Sequence, residues 1–349
     1  MLRRRETLLA PVGLPLVGQA AAQAPEDVER REWSAFRDRF MLSEGRIVDT
    51  GNRGVSHTEG QGWAMLGAVR ADDRASFDRL RGWTMRVLRR QGDTLFAWRF
   101  QPDAAQPVAD TNNATDGDLF IAWALIEAGE RWGVRDYGLQ GRAMARDILR
   151  LLVTRAGPYT VLLPGAHGFR REEQVILNPS YYVFPAIRVL AAAVPDPAWL
   201  DLAADGVALL RRGRFGRWRL PPDWLAVRRT DGDLTLPADW PPRFSYDAVR
   251  VPLYMAWVGL AREPGLTGPV EFWNDREHRH LPAWADLTTN EISPYPASAG
   301  IAVVSRLAAA HRFGTESRFP PRTAGREEDY YSAALGLLST LAARDSGMA

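Results

Sequence analysis

At 349 residues, with 46% hydrophobic and 25% charged side chains, the chain can bury a large core and has the composition of an ordinary globular protein. The formal charge is only +2, every basic residue is an arginine, and these are scattered rather than striped among aromatics, which argues against a nucleic-acid partner. The absence of cysteine excludes disulfides, thiolate metal sites and a cysteine nucleophile.

The first segment has three arginines (Arg3 to Arg5), an apolar run from Leu8 to Val17, and small residues ending in Ala24. This is the layout of a secretory signal cleaved after Ala24, which predicts a periplasmic or secreted protein. The run is too short to span a bilayer and contains Pro11 and Pro15, and no other segment reaches about 18 apolar residues, so the chain is not expected to be membrane-embedded. Removing residues 1–24 takes away three arginines and one glutamate and leaves balanced charge.

From there helical spacing dominates. Apolar periodicity predicts helices over roughly 31–41, 60–70, 141–153, 182–194, 197–212, 246–261, 297–312 and 328–343. Two more are marked by Phe77, Leu80, Trp83 and Val87, and by Ile121, Leu125, Ala128 and Trp132. Long Gly/Pro/Asp-rich loops separate them, at 99–118 and 220–245, and short extended pieces such as "YTVLLPG" suit small β hairpins. Ten to twelve helices joined by alternately short and long loops predict an all-α toroid of helical hairpins, one domain over residues 25–345, with a cleft at one end. Thirteen tryptophans, many beside Gly, Pro or Asp, suit the lining of such a cleft.

Carboxylates occur at three loop-to-helix junctions: Glu59 in "SHTEGQG", Asp116 and Asp118 in "NNATDGD", and Asp247 in "PPRFSYDAVR". Helix capping is the plain explanation for any one of them. The glycines around Glu59 and Asp116 predict in addition that a ligand can approach the backbone closely. Polysaccharide hydrolysis needs such a layout: one carboxylic acid protonates the leaving oxygen, and a second carboxylate activates water, about 6.5–9.5 Å away in inverting enzymes. His278 and His280 have a metal-like spacing but lie in the charge-rich "REHRH", read as a solvated loop, so no metal is expected. His57 is read as a hydrogen-bonded support for its neighbour Glu59. "TDGD" lacks the strand and lysine of a phosphate loop, and no cofactor is expected.

Several ordered segments carry a resemblance. "ATDGDLFIAWALIEAGERW" (114–132), "SHTEGQGWAM" (56–65) and "FSYDAVRVPLY" (244–254), with "GRIVDTGN", "LNPSYYVFP" and "TTNEISP", resemble glycoside hydrolase family 8 from about Trp33 to Ala309. Within it they are most similar to the periplasmic endoglucanases that accompany bacterial cellulose synthesis. The resemblance implies an (α/α)6 barrel and inverting hydrolysis of a β-1,4-glucan chain, with a cellulose synthase or export complex as a further partner. It places Glu59 as general acid, Asp247 as general base, and Asp116 where the sugar at the cleavage point is held and distorted. Tyr181 and Asn178, in "LNPSYY", stand at polar substrate contacts. Arg250, one helical turn after Asp247, is expected to orient that carboxylate. Trp63, Trp98 and Trp224 are candidate stacking platforms, Trp123 and Trp132 fall at core spacing, and Asp118 is read as structural.

A helix N-terminus favours an ionised Glu59, which opposes its use as an acid. The expectation is therefore that Asp116 lies within a few ångströms and raises the Glu59 pKa. Rival readings keep the same fold acting on xylan, mixed-linkage glucan or chitosan, or make the chain a weakly catalytic protein that guides nascent glucan.

Overall fold

The computed structural model describes residues 25–314 and 328–348, so the expected signal segment, residues 1–24, lies outside the described residues. Eleven α-helices occur among them: α1 (Pro25–Phe40), α2 (Thr58–Arg70), α3 (Arg74–Val87), α4 (Thr115–Trp132), α5 (Arg135–Leu152), α6 (Phe184–Ala193), α7 (Pro197–Arg212), α8 (Arg250–Trp257), α9 (Pro264–Trp273), α10 (Ala299–Phe313) and α11 (Tyr330–Asp345). Nine short strands, β1 (Ser56–His57), β2 (Arg99–Phe100), β3 (Val153–Ala156), β4 (Tyr159–Leu162), β5 (Gln174–Leu177), β6 (Leu225–Arg228), β7 (Leu234–Thr235), β8 (Arg243–Phe244) and β9 (Ala285–Asp286), form four small antiparallel sheets in the connections. The expected "YTVLLPG" hairpin is β3–β4, in register Val153 with Leu162 and Ala156 with Tyr159.

Burial sorts the helices into two layers. In α3, α5 and α7 one face is covered, as with Phe77, Leu80 and Trp83, or Tyr137, Met144 and Ile148. By contrast α2, α8 and α11 are covered on all sides, as is most of α4, the condition of a helix inside a large core. The inner contacts run α2–α4–α6–α8–α10–α11 and return from α11 to α2, closing a ring of six. The architecture is an (α/α)6 barrel.

The wholly covered inner helices run in one direction. Their first turns meet at one end, where Arg250 of α8 contacts Glu59 of α2 and Asp116 of α4, and Tyr331 of α11 packs on Trp63. Their C-terminal halves meet at the other end. There Arg70 pairs with Glu127 and Asp345, both at 2.7 Å, and Trp257 donates to Asp345 at 2.8 Å. Parallel helices point their positive dipole ends at the same place, so the first end favours anions and the second cations. Close by the second end Glu29 of α1 pairs with Arg344 of α11.

Two expectations need correction. The helix expected over 246–261 shortens to α8, because residues 246–249 form a turn. A further helix, α9, was not expected: Pro264 sits suitably at its first position, but Pro269 inside it removes an interior donor and hides the helical spacing.

Candidate active site

Glycine brings α2 and α4 together. A Cβ at Gly62 would lie 2.7 Å from Cβ of Phe120, and one at Gly117 would lie 2.7 Å from the Glu59 backbone nitrogen. No other residue fits these crossings without displacing backbone or ring. The expectation that the glycines open the backbone to a ligand is therefore replaced: they are packing contacts that set Glu59 beside Asp116. Capping does not account for the two acids either. The N-cap positions of α2 and α4 are His57 and Ala114, with no side-chain cap, whereas Asp73, Asp196, Ser298 and Asp329 cap α3, α7, α10 and α11.

Arg250 joins the site. Its Nη1 contacts Glu59 Oε2 and lies 3.2 Å from Asp116 Oδ2, while Nη2 donates to Asp247 Oδ1 at 2.7 Å and to Ser180 Oγ at 3.0 Å. The side chain is 2% exposed, so three carboxylates from α2, α4 and the turn before α8 share one desolvated guanidinium. The fork geometry of arginine is what allows such sharing. Below it lies Trp63, whose ring centroid is 5.7 Å from Arg250 Cζ. Trp63 is 0% exposed and packs on Phe120, Tyr330 and Tyr331, so it is a floor for Arg250 and not the open sugar platform expected of it.

The carboxyl pushed up most clearly is Asp116. Burial and then the neighbouring Glu59 charge raise it well above the usual range, against the pull of Arg250. Asp116 thus stands beside Glu59 on the same guanidinium nitrogen, the closeness the sequence led one to expect, and the like charge of Glu59 acts on it. Burial also raises Asp247; Arg250 opposes this and Asp116 adds to it. Tyr181 stands close to Asp116 and Asp247, and burial followed by those two charges holds its phenol neutral. The Asn178 side chain accepts from Ser180 N–H (3.0 Å) and its hydroxyl (2.7 Å), and its proximity to Asp247 works against the rise in that carboxyl.

Asp118 turns away from this group. It accepts from Phe96 N–H at 3.1 Å and Asn113 Nδ2 at 2.8 Å, and burial pushes it up to about 8. Trp98 is half-buried just before β2, stacked on His57 with 5.9 Å between centroids, and its indole N–H donates to Asp110 at 2.7 Å. Because β1 and β2 pair beside the start of α2, Trp98 flanks the approach to Glu59. Trp224 belongs to a row of half-buried rings on the loops near β5 and β6: Phe169 at 5.9 Å and Trp240 at 5.0 Å. His278 packs on Trp218 and Phe272 while His280 meets the Ser293 carbonyl, so the two histidines turn to different partners. Two residues of the site were not singled out from sequence, Ser180 and Asp223. Ser180 lies inside the "NPSYY" segment, so a signal was present; Asp223 lies in a proline-rich loop with nothing to distinguish it.

Comparison with known proteins gives the family. The model of glycosyl hydrolases family 8 matches residues 10–345. A probable endoglucanase of Novacetimonas hansenii is 46% identical over 329 residues, 94% of either chain, and an endoglucanase of Cellulomonas uda is 42% identical over 84% of this chain and 81% of its own. The structure of an endo-β-1,4-glucanase from Acetobacter xylinum superposes with a TM-score of 0.84 at 44% identity, covering 93% of this chain and all of that one. The match spans nearly the whole chain and takes in each segment that supplies a carboxylate to Arg250, and on that ground the chain belongs to glycosyl hydrolases family 8.

Proposed function

We propose that the protein is an inverting endo-1,4-β-glucanase in which Glu59 is the general acid and Asp247 the general base. The observation that carries this reading is the convergence of Glu59, Asp116 and Asp247 on one buried guanidinium at the anion-favouring end of the barrel. Glu59 gives its proton to the oxygen of the departing sugar. As the bond to the anomeric carbon breaks, water attacks from the opposite face and passes a proton to Asp247, so the product emerges with inverted configuration. Asp116, one hydrogen bond from Glu59, keeps a proton within the pair and a polar contact for the sugar being distorted. Tyr181, a neutral phenol between Asp116 and Asp247, holds the water or the ring oxygen by a hydrogen bond. Trp98 is the ring placed to meet a further glucose unit, whereas Trp224, expected as a platform, is sandwiched between Phe169 and Trp240.

The substrate is cellulose or a soluble derivative, supported by the endoglucanase names of both relatives. The signal-like layout expected of residues 1–24 supports action in the periplasm or outside the cell, and the resemblance to endoglucanases of cellulose synthesis supports a cellulose-synthesis or export complex as partner. No helix among the described residues is long and apolar enough to cross a membrane.

The test is reducing-sugar release from carboxymethylcellulose, xylan and chitosan by the wild type, Glu59→Gln and Asp247→Asn. Each variant is expected to lose about 10²–10⁴-fold on carboxymethylcellulose. NMR of the first products should show the α-anomer. Undiminished activity in either variant refutes its assigned role, and greater release from xylan or chitosan refutes the substrate.

A further inference from the structure

Asp223 is a buried carboxyl that the chemistry above does not use; it is 7% exposed, just before β6. Both oxygens are directed at the turn that carries Asp247. Oδ1 accepts from the N–H groups of Ser245 (2.9 Å) and Ala248 (2.8 Å), and Oδ2 accepts from the Ser245 hydroxyl. Its own N–H donates to the Arg243 carbonyl at 2.7 Å, fixing it to β8, from which the turn departs. Asp247 is therefore held between two residues clamped by one carboxylate. Among the described residues no arginine pairs with Asp223, so the clamp is a desolvated acid kept in place by a turn of four residues. Such an arrangement needs a reason other than stability, because a buried unpaired carboxyl is costly.

We propose that Asp223 is a positioning residue for hydrolysis: by clamping the 245–248 turn it sets the distance and direction from which Asp247 meets the attacking water. This rests on the reading of Asp247 as general base. The clamp also couples to the charge of the site. The charged group facing Asp223 is Asp247 itself, which in turn faces Arg250 from α8, Asp116 from α4, and Asn178 and Tyr181 from the segment before α6. Burial and the Asp247 charge push Asp223 up to about 7. It gains its charge, and its stronger hold on the two N–H groups, as pH rises through neutrality.

The test compares wild type, Asp223→Ala, Asp223→Asn and Asp247→Asn on carboxymethylcellulose across neutral pH, with circular dichroism to confirm folding. Asp223→Ala should lower kcat about 10²-fold with KM nearly unchanged, the signature of misplaced chemistry and intact binding. Asp223→Asn keeps a carbonyl oxygen for both N–H groups and should recover most of kcat. Its profile should follow wild type at acid pH and lose the step near neutrality. Wild-type kcat in Asp223→Ala overturns the proposal, as does an Asp223→Asn profile superimposable on wild type; the latter decides the matter if the alanine variant does not fold. An active Asp247→Asn would remove the general-base reading on which the proposal stands, whereas an inactive one beside a fully active Asp223→Ala would remove the proposal alone.

Discussion

Arg250 and Arg228 make the same kind of bond in opposite settings. Arg228 meets Asp231 at 2.9 Å and Asp233 at 2.8 Å on the β6–β7 hairpin, with all three side chains about half exposed (50%, 54% and 54%). Arg250, itself 2% exposed, meets three carboxylates, of which Asp116 is fully buried (1%) and Glu59 and Asp247 are partly open (21% and 34%). Distances are similar, so geometry does not separate the two. Around Arg228, water and salt screen the charges and replace a lost partner, whereas around Arg250 a lost partner leaves buried charge uncompensated. Ion pairs in this molecule gain weight where the fold covers them.

The sharpest way to break this contrast is Arg250→Ala. It should lower the unfolding free energy by about 3–5 kcal/mol in urea titrations and abolish glucan hydrolysis. Arg250→Lys should fold better yet stay impaired, because one ammonium cannot serve the fork. Equal stability of Arg250→Ala and wild type would end the comparison. Next, Gly117→Ala should cost about 1–3 kcal/mol and reduce kcat, since the added methyl parts α2 from α4 at the very point that joins Glu59 to Asp116.

The pH dependence of stability sharpens the buried side further. Asp118 binds its proton up to about 8 in the folded chain, against about 3.9 for an ordinary Asp. Its contribution is fully present at acid pH and is lost as pH rises from about 4 to about 8, with a slope of at most about 1.4 kcal/mol per pH unit. Asp118→Asn, uncharged throughout, should flatten that part of the stability profile. Smallest of all, Arg228→Ala should shift stability by less than about 1 kcal/mol and less still in high salt.

Much of the site was legible because its acids stand at loop-to-helix junctions beside a glycine or an aromatic residue, and because the segments around them resemble a known family. Glu59, Asp116, Asp247, Arg250, Tyr181 and Asn178 are brought together as a group. What escaped was the direction in which side chains point. Trp63 follows Glu59 by one helical turn, and spacing alone does not say whether that face looks into a cleft or beneath a guanidinium. The glycines likewise read as room for a ligand until the facing helix is seen to fill it. Asp223 gave no signal because its partners lie about twenty residues on, across a loop. Helix α9 escaped because two prolines in ten residues mask its periodicity. The fold itself was more accessible, since helical spacing recurs along the chain and short and long loops alternate between the helices.

The meeting of Glu29 with Arg344 brings the first and last described helices side by side at the end of the barrel away from the acids. The order in which the helices are strung is then partly arbitrary. A circular permutant that tethers residue 348 to residue 25 and reopens at the exposed Thr230–Asp231 turn should regain both its helical spectrum and its hydrolytic activity.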